Sequence, residues 1–274
     1  MRPRVSSARL ALRLFLVVGG LFPVAQSADP GEPKAGPKAG DEITNSIGMK
    51  LVYIPPGKFL MGSPEDEPGR FDDETQHEVE VVKGFYLGKY EVTQEEYQKI
   101  AEKNPSAFRG PKLPVETVGW KDAKEFCRLL SIKEGKGGKD GKGAGGYRLP
   151  TEAEWELACR AGTKTIYHFG NAISLAQANI YNAKKNGTVA VGSYAPNAWG
   201  LHDMHGNVWE WCDNFYSPNL VDPVARIKGK TFSYVVRGGG WGNEPNYCRS
   251  AARMRQENTI SGNIGFRVAL NSAE

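Results

Sequence analysis

The chain has 274 residues, enough for one large domain or two small ones with a full hydrophobic core. Its 33 glycines and 6 tryptophans, in an otherwise ordinary globular composition, point away from a helical bundle, toward a loop-rich fold of short elements. The formal charge of +4 gives no support to nucleic-acid binding: Arg2, Arg4, Arg9 and Arg13 all lie in the first 27 residues, and without that segment the charge is zero.

Residues 1–27 begin with arginines, continue into an apolar run and end in small residues, the layout of a secretory signal peptide. Ala25 and Ser27 suit the positions before a cleavage site, which places the cut after Ser27. The run "LFLVVGGLFPVA" is short for a bilayer span and holds Gly-Gly and Pro. The expected location is therefore secreted, periplasmic or cell-envelope, with no membrane span after cleavage; a retained anchor is the alternative. Residues 28–43 repeat Pro-Lys-Ala-Gly and read as a linker, which leaves 44–274 as one domain.

In that domain "MKLVYIPPGKFLMGS" reads as short strands broken by a Pro-Pro-Gly turn. "EDEPGRFDDETQHE" reads as a solvated acidic loop, and "EVEVVKGFYLGKYEV" as a strand. Thr93 with Glu96 forms a capping box before a helix whose stripe is Tyr97, Ile100 and Ala101. A second helix, "WKDAKEFCRLLSI", puts Trp120, Ala123, Phe126, Cys127 and Leu130 on one face, which turns Cys127 toward the core as an inert thiol. "KEGKGGKDGKGAGG" reads as a flexible loop. A third helix opens on the Thr151–Glu154 capping box and stops at Gly162. Beyond it periodicity fades, so metal ions or buried polar networks must hold the chain. The four cysteines, Cys127, Cys159, Cys212 and Cys248, form no CxxC zinc pattern, and their pairing is open.

Seven motifs in order carry a resemblance: "GMKLVYIPPGKFLMGS", "YEVTQEEY", "PVETVGWKDAKEFC", "YRLPTEAEWELACRAG", "GLHDMHGNVWEWC", "VVRGGGW" and "NIGFRVAL". From about Asn45 to Leu270 the chain resembles the formylglycine-generating enzymes, also called sulfatase-modifying factors. The resemblance implies an irregular α+β fold related to C-type lectins, single-domain and with little regular secondary structure. It also implies oxidation of a sulfatase cysteine to formylglycine by copper(I) on two cysteines, with oxygen and a reductant. Soft thiolates suit Cu(I).

Here the family's first catalytic cysteine falls at about Asn243. The second falls in a shortened segment near Pro245 and Asn246. Cys248 lies just before "RSAAR", and Gly240 stands where active members carry serine. An amide oxygen cannot replace a thiolate on Cu(I), so copper is not expected. The implied role is a binding domain for a protein or peptide, a sulfatase among the candidates, with a glycan as another option. The alternative is an active oxidase with a variant copper site.

The resemblance places calcium at Asp203, Gly206, Val208 and Glu210, against plain turn chemistry as the alternative. A second calcium set begins at Asn179 and the Ile180 carbonyl, with Asn186 where the family has an acid. Trp209 and Arg253 fall beside the family's substrate cleft; core packing for Trp209 and an ion pair for Arg253 are the alternatives. His202 and His205 read as members of a hydrogen-bond network. Cys159 and Cys248 would form a disulfide if they face each other.

Overall fold

The computed structural model describes residues 36–183, 186–218, 233–258 and 261–272. The expected leader and most of the linker lie outside these residues. From Pro37 onward the chain forms one compact unit. Strand β1 (Glu42–Thr44) lies at the boundary read as linker; it pairs antiparallel with β2 (Lys50–Ile54) and belongs to the fold.

Residues Leu51 to Ile54 of β2 are all buried, so its apolar run is continuous instead of alternating. The strand sits inside a five-stranded sheet with β5 (Phe85–Gly88), β11 (Ala269–Asn271) and β6 (Tyr147–Arg148), in the order β1-β2-β5-β11-β6. The C-terminal segment is thus inserted between strands from the first half. The "EVEVVKGFYLGKYEV" stretch is two strands, not one. β4 (His77–Val81) pairs with β3 (Gly57–Met61) in a separate ribbon, and the chain then turns at Gly84 into β5. A Cβ at Gly84 would lie 2.6 Å from Tyr53 Cζ, so the turn packs against that ring only as glycine.

Helix α1 (Gln94–Ala101) carries the expected capping box, and it buries Tyr97. Helix α2 (Trp120–Lys133) buries Ala123, Phe126, Cys127 and Leu130, four of the five stripe residues, and leaves Trp120 half-buried. Helix α3 (Glu152–Arg160) also starts on its capping box, but Ala161 takes the left-handed conformation (φ 45°) one residue before Gly162. A four-stranded sheet, ordered β10-β7-β8-β9, is built from β7 (Trp209–Phe215), β8 (Ser233–Arg237), β9 (Arg253–Glu257) and β10 (Ile264–Gly265). Two core clusters lie among these layers. One holds Tyr97, Phe126, Trp209, Trp211 and Phe266; the other holds Ile54, Phe85, Leu87, Trp155 and Met204.

Two loops differ from their sequence reading. The acidic loop is exposed along most of its length, but two of its acids are not solvated: Arg249 bonds Glu67 at 2.7 Å and Glu74 at 2.6 and 2.8 Å, all buried. The partner arginine lies so far along the chain that no local pattern reveals it. The glycine–lysine loop is folded, with Gly143 N bonded to Gly137 O at 2.7 Å and Gly146 N to Gly143 O at 3.0 Å, and Arg128 of α2 donates to the Asp140 carbonyl at 3.3 Å. Between α3 and β7 no helix or strand forms among the described residues. Buried asparagines hold that stretch instead. Asn197 donates to the carbonyls of Ala158 and Cys159 at the end of α3 and accepts from Trp199 N and Leu201 N.

Candidate functional site

The chain enters β7 through a turn that needs left-handed backbone at three positions: Asp203 (φ 57°), Gly206 (φ 88°) and Asn207 (φ 63°). Glycine is required at 206 for a second reason, because a Cβ would lie 2.9 Å from Ile180 Cγ2 and press on the Asn179 carbonyl. Backbone bonds stitch the turn to its neighbours: Gly206 N to Gly238 O and Asn207 N to Asn179 O, both 2.8 Å. The Asn207 side chain is the hub. Its amide donates to Glu91 Oε2 at 2.6 Å, and its oxygen accepts from Val189 N at 3.0 Å and Asn179 Nδ2 at 3.1 Å.

Glu91 is buried at this hub, and a second buried carboxylate, Asp203, lies close enough for the two charges to interact. Glu91 accepts from Val208 N at 3.2 Å, and Asp203 Oδ2 accepts from Gly192 N at 2.6 Å. Burial, then the Asp203 and Glu210 charges, push Glu91 well above the usual carboxylate range. Burial raises Asp203 to about 6. Asp203 Oδ1 and Asn179 Oδ1 are buried with no hydrogen-bond partner. Unsatisfied oxygens beside crowded carboxylates are what a hard cation would relieve. Glu210 is differently placed: both oxygens bond Arg267 at 2.6 Å, and Oε2 also accepts from Trp155 Nε1 at 2.7 Å. The Ile180 carbonyl accepts from Ala183 N at 3.0 Å, and Asn186 is exposed. Lys184 and Lys185 of this loop lie outside the described residues. Among the described residues, no three His, Cys, Asp or Glu side chains converge as a metal group. A cation here would draw on main-chain carbonyls as well.

Sequence reasoning missed Glu91. Its signal was present, since it is an acid between Tyr90 and Val92 at the end of the strand-like stretch "FYLGKYEV".

The glycine-rich segment after β8 leads to Asn243. Its Oδ1 accepts from Trp209 Nε1 at 2.9 Å and from Gly240 N at 3.1 Å, and its carbonyl accepts from Tyr181 N at 2.8 Å. Cys248, at the end of the 3-10 turn Pro245–Cys248, points inward. Its sulfur packs against Gly239, and it shares an apolar cluster with Tyr167, Ala178 and Ile180. Burial pushes its thiol up to about 12, so it is protonated at neutral pH. All four cysteines are free and buried, so Cys159 and Cys248 form no bridge. His205 bonds toward both: Nδ1 is 2.7 Å from Cys248 O, and Nε2 is 3.8 Å from Cys159 Sγ.

The sulfatase-modifying factor enzyme 1-like domain matches residues 41–272. The chain belongs to this family. It is 34% identical over 229 residues to the chaperone protein LppX of Paenibacillus barcinonensis, covering 67% of this chain and 79% of LppX. It is 28% identical over 293 residues to the formylglycine-generating enzyme of Mus musculus, covering 80% and 74%. The structure of PvdO from Pseudomonas aeruginosa superposes with a TM-score of 0.74 at 31% identity, over 86% of this chain and all of PvdO. The α+β fold expected from the sequence is the fold of this family.

Within the sulfatase-modifying factor domain, other residues singled out by sequence are placed as follows. Trp209 is fully buried in the core and shows no face to a cleft; its indole instead fixes Asn243. Arg253 is held by Glu152 at 2.7 and 2.9 Å, donates to Ser217 O at 2.6 Å and lies over the Tyr216 ring. It is a buried structural pair, not a free cleft guanidinium. Arg237 likewise pairs with Glu156, which also bonds Arg160 at 2.9 Å. His205 Nδ1 donates to the Cys248 carbonyl, which leaves Nε2 to accept from His168 N at 3.1 Å. That ring is therefore neutral, and burial pushes its pKa down to about 3. His202 Nδ1 bonds the Tyr194 carbonyl at 2.8 Å. Both histidines are tied into hydrogen-bond networks. Among the described residues no helix is long and apolar enough to cross a membrane.

Proposed function

We propose that the chain is a copper-free, calcium-stabilised binding domain of the sulfatase-modifying factor family, with a protein or peptide as its partner. One observation carries this reading: Asn243, where active members place a copper cysteine, is engaged as a structural hydrogen-bond acceptor from Trp209 and Gly240. Its oxygen is a hard, neutral donor, unsuited to Cu(I). Cys248 offers a protonated, core-packed thiol in place of a thiolate. The donor set present does not fit the paired dithiolate that family copper chemistry requires, so no oxidative step is assigned. The likeness to LppX, a protein named as a chaperone, agrees with a role in holding polypeptide.

Calcium would be held by Glu91 and Asp203 with the carbonyls of Gly206 and Val208. The Glu210 carboxylate, taken by Arg267 and Trp155, would support the site from behind. A second ion would draw on Asn179, whose oxygen is unsatisfied. The ion would neutralise two crowded carboxylates and fix the turn into β7. Export through the N-terminal leader completes the reading.

The test supplies Cu(I), oxygen and reductant together with a cysteine peptide from a sulfatase. The reading predicts no peptide-dependent oxygen uptake and no formylglycine. Sustained turnover would instead establish an oxidase with a variant copper site.

A further inference from the structure

We propose that the outer edge of β3 is a strand-addition site, which takes a short extended polypeptide segment with apolar side chains toward the groove beside it. This rests on the reading of the chain as a polypeptide-binding domain, and gives that partner a place and a conformation. β3 and β4 form a ribbon of their own, joined to neither larger sheet among the described residues. In an antiparallel pair, successive residues turn their N–H and C=O alternately toward the partner strand and away from it. Ser63 N bonds Glu74 O at 3.0 Å, on the β4 side, so Gly62 turns away from that side. The Gly62 N–H donates to Glu156 Oε1 and its carbonyl accepts from Arg160 Nη2, both at 2.9 Å. Met61 pairs with His77 and Phe59 with Val79, and the backbone groups of Leu60 and Lys58 turn outward as those of Gly62 do.

The Gly62 rung is already filled from within the fold. A carboxylate and a guanidinium of α3 stand where a neighbouring strand would present its carbonyl and its N–H, and both are buried. At Leu60 and Lys58 no side chain does this. Among the described residues their backbone N–H and carbonyl groups have no partner outside the ribbon. Both residues line a groove of about 480 Å³, and Leu60 is 48% exposed.

The chemistry of this edge selects its occupant. It offers a donor and an acceptor on every second residue, and an extended peptide backbone carries the complementary groups at the same spacing. The rest of the groove is lined by Pro55, Pro56, Phe59, Leu157 and Trp199 among others, an apolar surface for the side chains that such a strand turns inward. The open stretch is short. Pro55 and Pro56 have no N–H to offer at one end, and the Gly62 rung is occupied at the other. Two rungs remain, which suits a segment of a few residues and does not template indefinite stacking.

Amide hydrogen exchange of the chain, read residue by residue by NMR, tests this with two probes: a soluble peptide of alternating valine and threonine, and the same peptide methylated at every backbone nitrogen. The first is expected to slow exchange at Leu60 and Lys58 by about tenfold or more, and the second to leave it unchanged. Phe59 and Met61, bonded to β4, should exchange slowly throughout. Leu60→Pro removes an outward N–H and leaves the pairing with β4 intact, so it should weaken binding of the first peptide about tenfold by fluorescence anisotropy. Val82→Ser, at an exposed position elsewhere, is the unaffected control. Peptide binding that protects other amides and leaves Leu60 and Lys58 fast overturns this site, while the polypeptide-binding reading stands. Equal binding of the methylated peptide overturns strand addition. Absence of binding overturns the site and leaves the functional reading to its own oxygen-uptake test.

Discussion

Replacing Asn243 by alanine removes one oxygen that two donors share, Trp209 Nε1 at 2.9 Å and Gly240 N at 3.1 Å. Trp209 is fully buried, so its N–H loses its acceptor inside the protein. A buried donor left unpaired costs about 1–3 kcal/mol. Water can reach the half-exposed 243 position and satisfy one of the two donors, which sets the expected cost near 2 kcal/mol. For a domain of this size that lowers Tm by about 4–8 °C. Asn243→Asp keeps an acceptor for both donors and should stay within about 1 kcal/mol of the parent. Asn243→Cys should behave like alanine, because a thiol is a weak acceptor. Thermal unfolding by circular dichroism or calorimetry reads all three. An unchanged Tm in Asn243→Ala would refute the view that this residue is a structural acceptor.

Three further outcomes are expected. All four thiols should resist alkylation in the folded chain, since burial raises Cys127, Cys159 and Cys248 to about 12 and Cys212 well above its usual value; in denaturant all four should react, and intact mass showing only two reactive thiols without reductant would contradict this. Glu156→Gln should cost about 3–5 kcal/mol in chemical unfolding, because it weakens the partner of buried Arg237 and Arg160; a loss below 1 kcal/mol would show that those guanidinia find other partners. In calcium-free buffer the folded chain holds the Asp203 proton to about pH 6, against about 3.9 when unfolded. A raised acid gives stability that is full below pH 4 and lost as pH rises through 6, on the order of 3 kcal/mol. Calcium binds the ionised form, so the Tm gain from calcium over chelator should be larger at pH 7 than at pH 5, and equal gains would count against the site.

Local physics was legible in the sequence, and distant pairing was not. Both Ser/Thr capping boxes and the α2 stripe follow from spacings within one or two helical turns, and the structure has them where they were read. The order of motifs carried the family and its α+β fold. Within the acidic loop only Glu67 and Glu74 were misread, because nothing near them signals Arg249, and a carboxylate without a visible partner looks solvated. Arg253 and Glu152 are hidden from each other in the same way. The strand containing "VVKGFY" was split by Gly84, a residue whose necessity lies in the distant Tyr53 ring. Glu91 went unnoticed as a member of the candidate calcium site because its neighbours in space, Asn207 and Asp203, come more than a hundred residues later.

The glycine-rich segment is proposed to hold no copper. A competition titration of Cu(I) against a chelator of known affinity, with the reduced wild-type chain and Asn243→Cys side by side, tests it most directly. The wild-type chain is expected to yield all copper to the chelator. The same is expected of Asn243→Cys, because Cys248 remains packed beneath Gly239 and one half-exposed thiol makes no pair. A tight, one-to-one Cu(I) complex in the wild-type chain would contradict it.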